Sequence, residues 1–74
     1  MTDEIKKAIE QAIPGSQASV SAGSGGHFSI NVSGAAFAGK SPVQQQRMVY
    51  SAIAHLMKGD NAPVHAIDRL QITP

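Results

Sequence analysis

Cysteine is absent from this chain, which removes thiolate ligands and leaves His, Asp or Glu to bind a metal, with His27, His55 and His65 as the whole imidazole supply. His65 stands at the mouth of an apolar run, Val64-His65-Ala66-Ile67, that leads to the end of the sequence. His27 opens a second run, His27-Phe28-Ser29-Ile30-Asn31-Val32-Ser33. Two imidazoles cannot close the tetrahedral shell of a structural zinc. They can complete a site whose other ligands come from a partner protein or an exogenous thiol. His55 falls within a helical pattern and reads as a solvated residue at the edge of the core. Gly23-Ser24-Gly25-Gly26 has the glycine content of a phosphate cradle but sits between two strands, where no helix dipole assists an anion. No Ser-His-Asp order with supporting context and no carboxylate pair at helical spacing is found, which points away from catalysis.

The elements that must position the two histidines can be read from periodicity. Thr2 to Ile13 places Ile5, Ala8, Ile9, Ala12 and Ile13 on one helical stripe, with Thr2 as N-cap, Asp3 and Glu4 at the positive end of the dipole, and Pro14-Gly15 as the stop. Gln17 to Ser21 reads as a short strand, followed by a glycine-rich turn. From His27, strict alternation puts Phe28, Ile30 and Val32 on one face and His27, Ser29 and Asn31 on the other. The two runs form an antiparallel hairpin. Gly34 to Ser41 is a loop with one large apolar residue, Phe37. Ser41-Pro42 then starts the main core helix, whose apolar set is Val43, the Arg47 stem, Val49, Tyr50, Ile53, Ala54, Leu56 and Met57, and which Lys58-Gly59 closes. Asp60 to Pro63 is a linker. Val64 to Ile72 is the last strand, with Val64, Ala66, Leu70 and Ile72 on one face, Ile67 on the other and Asp68 as the misfit.

The connection from Ser33 to Val64 contains a helix and is long enough for a parallel crossover that lays that helix on the sheet. If the last strand then lies beside and parallel to the second, His27 and His65 begin neighbouring strands about 4.8 Å apart. The expected fold is α+β, a three-stranded mixed sheet with its helices on one face. The chain's 74 residues are enough for one domain, 1–74, and too few for two. A net charge of +1 gives no general attraction to nucleic acid or membrane. The N-terminus carries acids where a signal peptide needs bases, and no apolar run approaches the roughly 18 residues of a membrane span. A cytoplasmic location and no membrane contact are expected.

Phe37-Ala38-Gly39-Lys40-Ser41-Pro42, followed by Arg47-Met48-Val49-Tyr50 and by Val64-His65-Ala66-Ile67 closing on Ile72-Thr73-Pro74, resembles the BolA family across nearly the whole chain. Gln44-Gln45-Gln46 is closer to the acid-stress-linked BolA-like branch than to members with a basic run there, which implies a link to stress response. The resemblance implies an α-β-β-α-(α)-β fold similar to class II KH domains, with no enzymatic activity. It also implies a partner, a monothiol glutaredoxin, with which BolA proteins share a [2Fe-2S] cluster whose other ligands are the glutaredoxin cysteine and a glutathione thiol. No cluster is then bound by the chain alone, which is a monomer by itself and a heterodimer with its partner. The family's invariant ligand maps onto His65, and His27 is the candidate for the second, placed directly before Phe28 where other members carry it several residues earlier. A cluster iron ligated by imidazole in place of thiolate has a raised potential and a ligand set sensitive to protonation.

Two other readings belong to different classes. KH-like folds bind nucleic acid and some BolA proteins regulate transcription, in which case Lys40, Arg47, Lys58 and Arg69 would be the DNA contacts. Against this stand the near-neutral charge and the lack of a GxxG between two helices, where a KH domain clamps the backbone. The third reading is an interaction module without metal that docks through the loop around Phe37 and the last strand.

Overall fold

A computed structural model describes all 74 residues. Helix α1 (Thr2–Ala12) is followed by strands β1 (Gln17–Ala22) and β2 (His27–Ser33), then helix α2 (Pro42–Ile53) and strand β3 (Ala66–Thr73). Single 3-10 turns occupy Ala35–Phe37 and Ala54–Leu56. The sheet order is β1-β2-β3, with β1 antiparallel and β3 parallel to the central β2. The α+β architecture with a mixed three-stranded sheet is therefore as expected. None of its helices is long and apolar enough to cross a membrane.

The core forms because one face of each strand and one stripe of each helix are apolar. Ile5, Ile9 and Ile13 of the α1 segment meet Ala18 of β1, Phe28, Ile30 and Val32 of β2, and Val49 and Ile53 of α2. Phe37 is fully buried in the same cluster, so the loop it anchors presents no aromatic for docking. Phe37 therefore anchors this loop to the core from within. Burying a phenylalanine is worth more than exposing it by about 1.5–3 kcal/mol, and the 3-10 turn delivers the ring inward from the end of β2.

Helix α2 starts where Ser41-Pro42 indicated. Ser41 Oγ accepts from the Gln44 N–H at 3.2 Å while Gln44 Oε1 accepts from the Ser41 N–H at 3.0 Å, a reciprocal cap. Its buried stripe differs from the expected one. Met48, Val49, Ala52 and Ile53 face the core, whereas Val43 and Tyr50 are exposed. The stripe is rotated because i, i+4 and i+5 spacing from Met48 meets the sheet, and a helix this short has one stripe to bury. The helix also ends at Ile53, earlier than Lys58-Gly59 suggested, the chain tightening into the 3-10 turn before Gly59 turns at φ +86°. At the other end of the molecule Met1, not Thr2, caps α1, without a side-chain bond.

The register of β3 is the other departure. It begins at Ala66 rather than Val64, and it carries an irregularity: Phe28 pairs with Ile67, yet Ser29 pairs with Arg69. Asp68 is the extra residue. Because registered neighbours share a sheet face, Ile67 lies with Phe28 on the core side and Ala66 with His27 on the open side. After the irregularity Leu70 and Ile72 return to the core side beside Ile30 and Val32. A bulge of this kind re-aims one side chain without disturbing the pattern downstream.

Candidate metal-ligand site at the histidine edge

His27 is the first residue of β2 and His65 immediately precedes β3. Parallel pairing of these strands, with His27 opposite Ala66, brings both imidazoles to the same end of the sheet. Between them runs the turn from Gly23 to Gly26. The His65 N–H donates to Gly26 O at 2.9 Å, and Ala66 N–H shares the same acceptor at 3.3 Å. The His65 ring lies so close over Gly26 that a Cβ there would collide with it, and Gly26 holds a φ of +79° that side-chain-bearing residues rarely adopt. His27 lies beside the preceding glycine, its Cδ2 within 3.9 Å of where a Gly25 Cβ would be. Adjacent glycines of one turn thus carry the two rings on their flanks.

Both histidines are exposed. They are held differently. His27 Nδ1 lies 2.8 Å from Asp68 Oδ1, a contact made possible by the bulge in β3. Since a carboxylate only accepts, Nδ1 is the donor, and in the neutral ring the lone pair then belongs to Nε2. Side-chain exposure is 46% for His27 and 56% for Asp68, so solvent screens the pair and its role is orientation more than stability. His65 has no side-chain partner and is fixed by its backbone bond and by the glycine beneath it.

The other candidates fall elsewhere. His55 is exposed in the second 3-10 turn and on no strand. Lys40 precedes α2, Arg47 lies on it and Lys58 follows it, but Arg69 pairs with Ser29 on the open face of the sheet, opposite the helix layer. The four basic residues do not gather on one face. No group of three or more His, Cys, Asp or Glu side chains comes together in a way that could hold a metal ion. The largest cleft, about 700 Å³, opens at the other end of the sheet between Lys6, Glu10, Asn31 and Gln71, and no histidine lines it.

Reading the sequence missed Asp68 as a member of this edge and saw only that it broke the strand. The signal was there: apolar Ile67 and Leu70 three apart in a strand require an inserted residue if both are to face the core. It also passed over Gly26, whose closeness to His65 joins residues far apart in the chain.

The family model for BolA-like proteins matches residues 4–74. The chain belongs to the BolA family. A BolA protein homologue from Coxiella burnetii is 32% identical, with 100% of this chain and 91% of that one covered and a TM-score of 0.77. A Bol-like protein from Babesia bovis is 26% identical over 100% and 85% of the two chains, with a TM-score of 0.79. Yeast Fra2 is 28% identical over 97% and 76%, with a TM-score of 0.69. A search of curated proteins gives no match. The BolA assignment covers both histidines and the whole sheet that positions them.

Proposed function

We propose that this BolA protein is a non-enzymatic partner of a monothiol glutaredoxin and shares a [2Fe-2S] cluster with it through His65 and His27, in iron-sulfur trafficking or in iron and redox regulation. The family it belongs to consists in general of regulatory or partner proteins. The observation that carries the finer reading is the pair of exposed imidazoles seated on adjacent glycines of one turn, with no thiol anywhere in the chain. Such a donor set fits half of a cluster's ligands and leaves the sulfur to come from a guest, here the glutaredoxin cysteine and a glutathione thiol. The cluster supplies a redox centre whose potential rises when imidazole replaces thiolate. The chain's own residues do the rest. Gly26 leaves room for the His65 ring to sit low against the backbone, the parallel pairing of β2 with β3 sets the common edge of the two rings, and exposure leaves that edge open to a second protein.

The test is reconstitution with a monothiol glutaredoxin, glutathione, iron and sulfide, followed by visible circular dichroism and by the mass of the complex. Addition of the chain should change the dichroism and yield a one-to-one heterodimer. In His65→Ala the change should disappear. A complex whose spectrum is indifferent to His65→Ala removes His65 from the ligand set. The same substitution should leave the far-ultraviolet spectrum intact because the side chain is exposed.

A further inference from the structure

We propose that Asp68 is a positioning residue for His27: the β3 bulge delivers its carboxylate to Nδ1, which fixes the imidazole in the Nδ1–H form and presents Nε2 as the only metal donor. The inference rests on the cluster-sharing reading for its purpose, but the tautomer it assigns belongs to the chain alone. Three observations carry it. The Asp68 Oδ1 to His27 Nδ1 distance of 2.8 Å is that of a charge-assisted hydrogen bond. Asp68 is the unmatched residue between the Phe28–Ile67 and Ser29–Arg69 pairs, so the sheet departs from regular register at the one place that brings this carboxylate to the ring. Finally, β3 would bury its apolar residues less well without the extra residue, because Ile67 and Leu70 could not both face the core. The same insertion therefore serves packing on one face and the histidine on the other.

The chemistry is that of a ligand held from behind. A free imidazole exchanges its proton between the two nitrogens and swings about its χ angles. A carboxylate bound at one nitrogen stops both motions and makes the other nitrogen a better donor. His65 has no such partner, so the two donors of the edge differ in kind: His27 is oriented by a side chain and His65 by backbone and glycine contact. Loss of the carboxylate should then weaken ligation by His27 while leaving His65 and the fold as they are.

The experiment compares the wild type, Asp68→Ala and Asp68→Glu. In the chain alone, at about pH 8 where an ordinary imidazole is neutral, long-range proton–nitrogen correlation spectra report which ring nitrogen of His27 carries the proton. The wild type and Asp68→Glu should show the Nδ1–H form, and Asp68→Ala should revert to the Nε2–H form that an unconstrained ring favours. The second measurement is chelator competition on the complex reconstituted with a monothiol glutaredoxin, where Asp68→Ala should hold the cluster about 10- to 100-fold more weakly. An unchanged His27 tautomer in Asp68→Ala overturns the proposal, and so does a changed tautomer with unchanged cluster retention. Failure of the cluster-sharing reading has its own mark: His27→Ala and His65→Ala would both leave the spectrum of the complex untouched, which would overturn the metal-donor role of His27 while the tautomer is decided by the first measurement.

Discussion

The helix-covered face of the sheet and its histidine edge are made from the same strands by opposite means. On the covered face β2 and the helices follow a period: alternate residues of β2 and every third or fourth residue of the helices, apolar and packed together. At the edge everything is an exception, with glycines at positive φ, a bulge, and polar side chains left in solvent. The difference teaches where each kind of information resides. Periodic burial supplies stability without regard to the atoms on the other side, and local irregularity places particular atoms at little cost to that stability.

The comparison breaks if the edge turns out to be structural. Phe37→Ala tests the covered face. A fully buried ring deleted from a core typically costs about 3–5 kcal/mol, and a domain of this size has only about that much in total. The variant should show no cooperative thermal transition by circular dichroism. His65→Ala, at an exposed residue, should stay within about 0.5 kcal/mol of wild type in urea unfolding. If the two losses are comparable, the histidine edge is part of what holds the molecule together, and its residues cannot be read as free for a partner.

Gly26→Ala sharpens the comparison, because that glycine lies at the histidine edge and yet its substitution costs stability. Its φ of +79° is costly for a residue with a Cβ, and the new methyl would also collide with the His65 ring. The strain alone amounts to about 1–2 kcal/mol. Urea unfolding should show a loss of that order, less than for Phe37→Ala. The His65 amide, bonded to Gly26 O, should also exchange with solvent faster than in wild type. A stability loss with an unmoved His65 would mean that the turn and the ring are independent, contrary to the geometry above.

How much of this was legible beforehand follows the same division. The alternation from Phe28 to Val32, the Ser41-Pro42 helix start and the long crossover from Ser33 to Val64 are local or topological signals, and they sufficed to place His27 and His65 at one end of the sheet. The stripe of α2 was misplaced because Val43 and Tyr50 are as apolar as Met48 and Ala52, and the choice between two adjacent stripes is made by the sheet. Phe37 stood out as the one large apolar residue of its loop, but a lone aromatic there does not declare which way it points, and the fold turns it inward. Asp68 was visible as a misfit. That it grips His27 depends on pairing between strands 41 positions apart, which no local pattern encodes.

The smallest effect concerns the far edge of the sheet, where β1 ends the ladder. There Lys6 and Glu10 of α1 reach across to one residue. Glu10 accepts from the Ala18 N–H at 3.0 Å, Lys6 Nζ donates to Ala18 O at 3.1 Å, and the two side chains pair with each other at 2.6 Å. Both backbone groups of an edge residue are thus occupied, which blunts that edge against strand addition. The bond from Lys6, aided by the Ala18 N–H, holds the Glu10 carboxyl below its ordinary value near 4.5, against a smaller opposing effect of burial. Because the folded pKa is the lower one, the unfolded chain takes up this proton first on acidification. The stabilisation is complete above about pH 4.5 and is lost as pH falls through the folded value. Glu10→Gln should therefore lower the thermal midpoint at pH 7 by less than Gly26→Ala does, and the gap from wild type should close as the pH falls through the folded value of Glu10. A gap that persists at low pH would mean that Glu10 acts through packing against β1 and not through its charge, and one edge of the sheet would then be guarded by shape where the other is furnished with imidazoles.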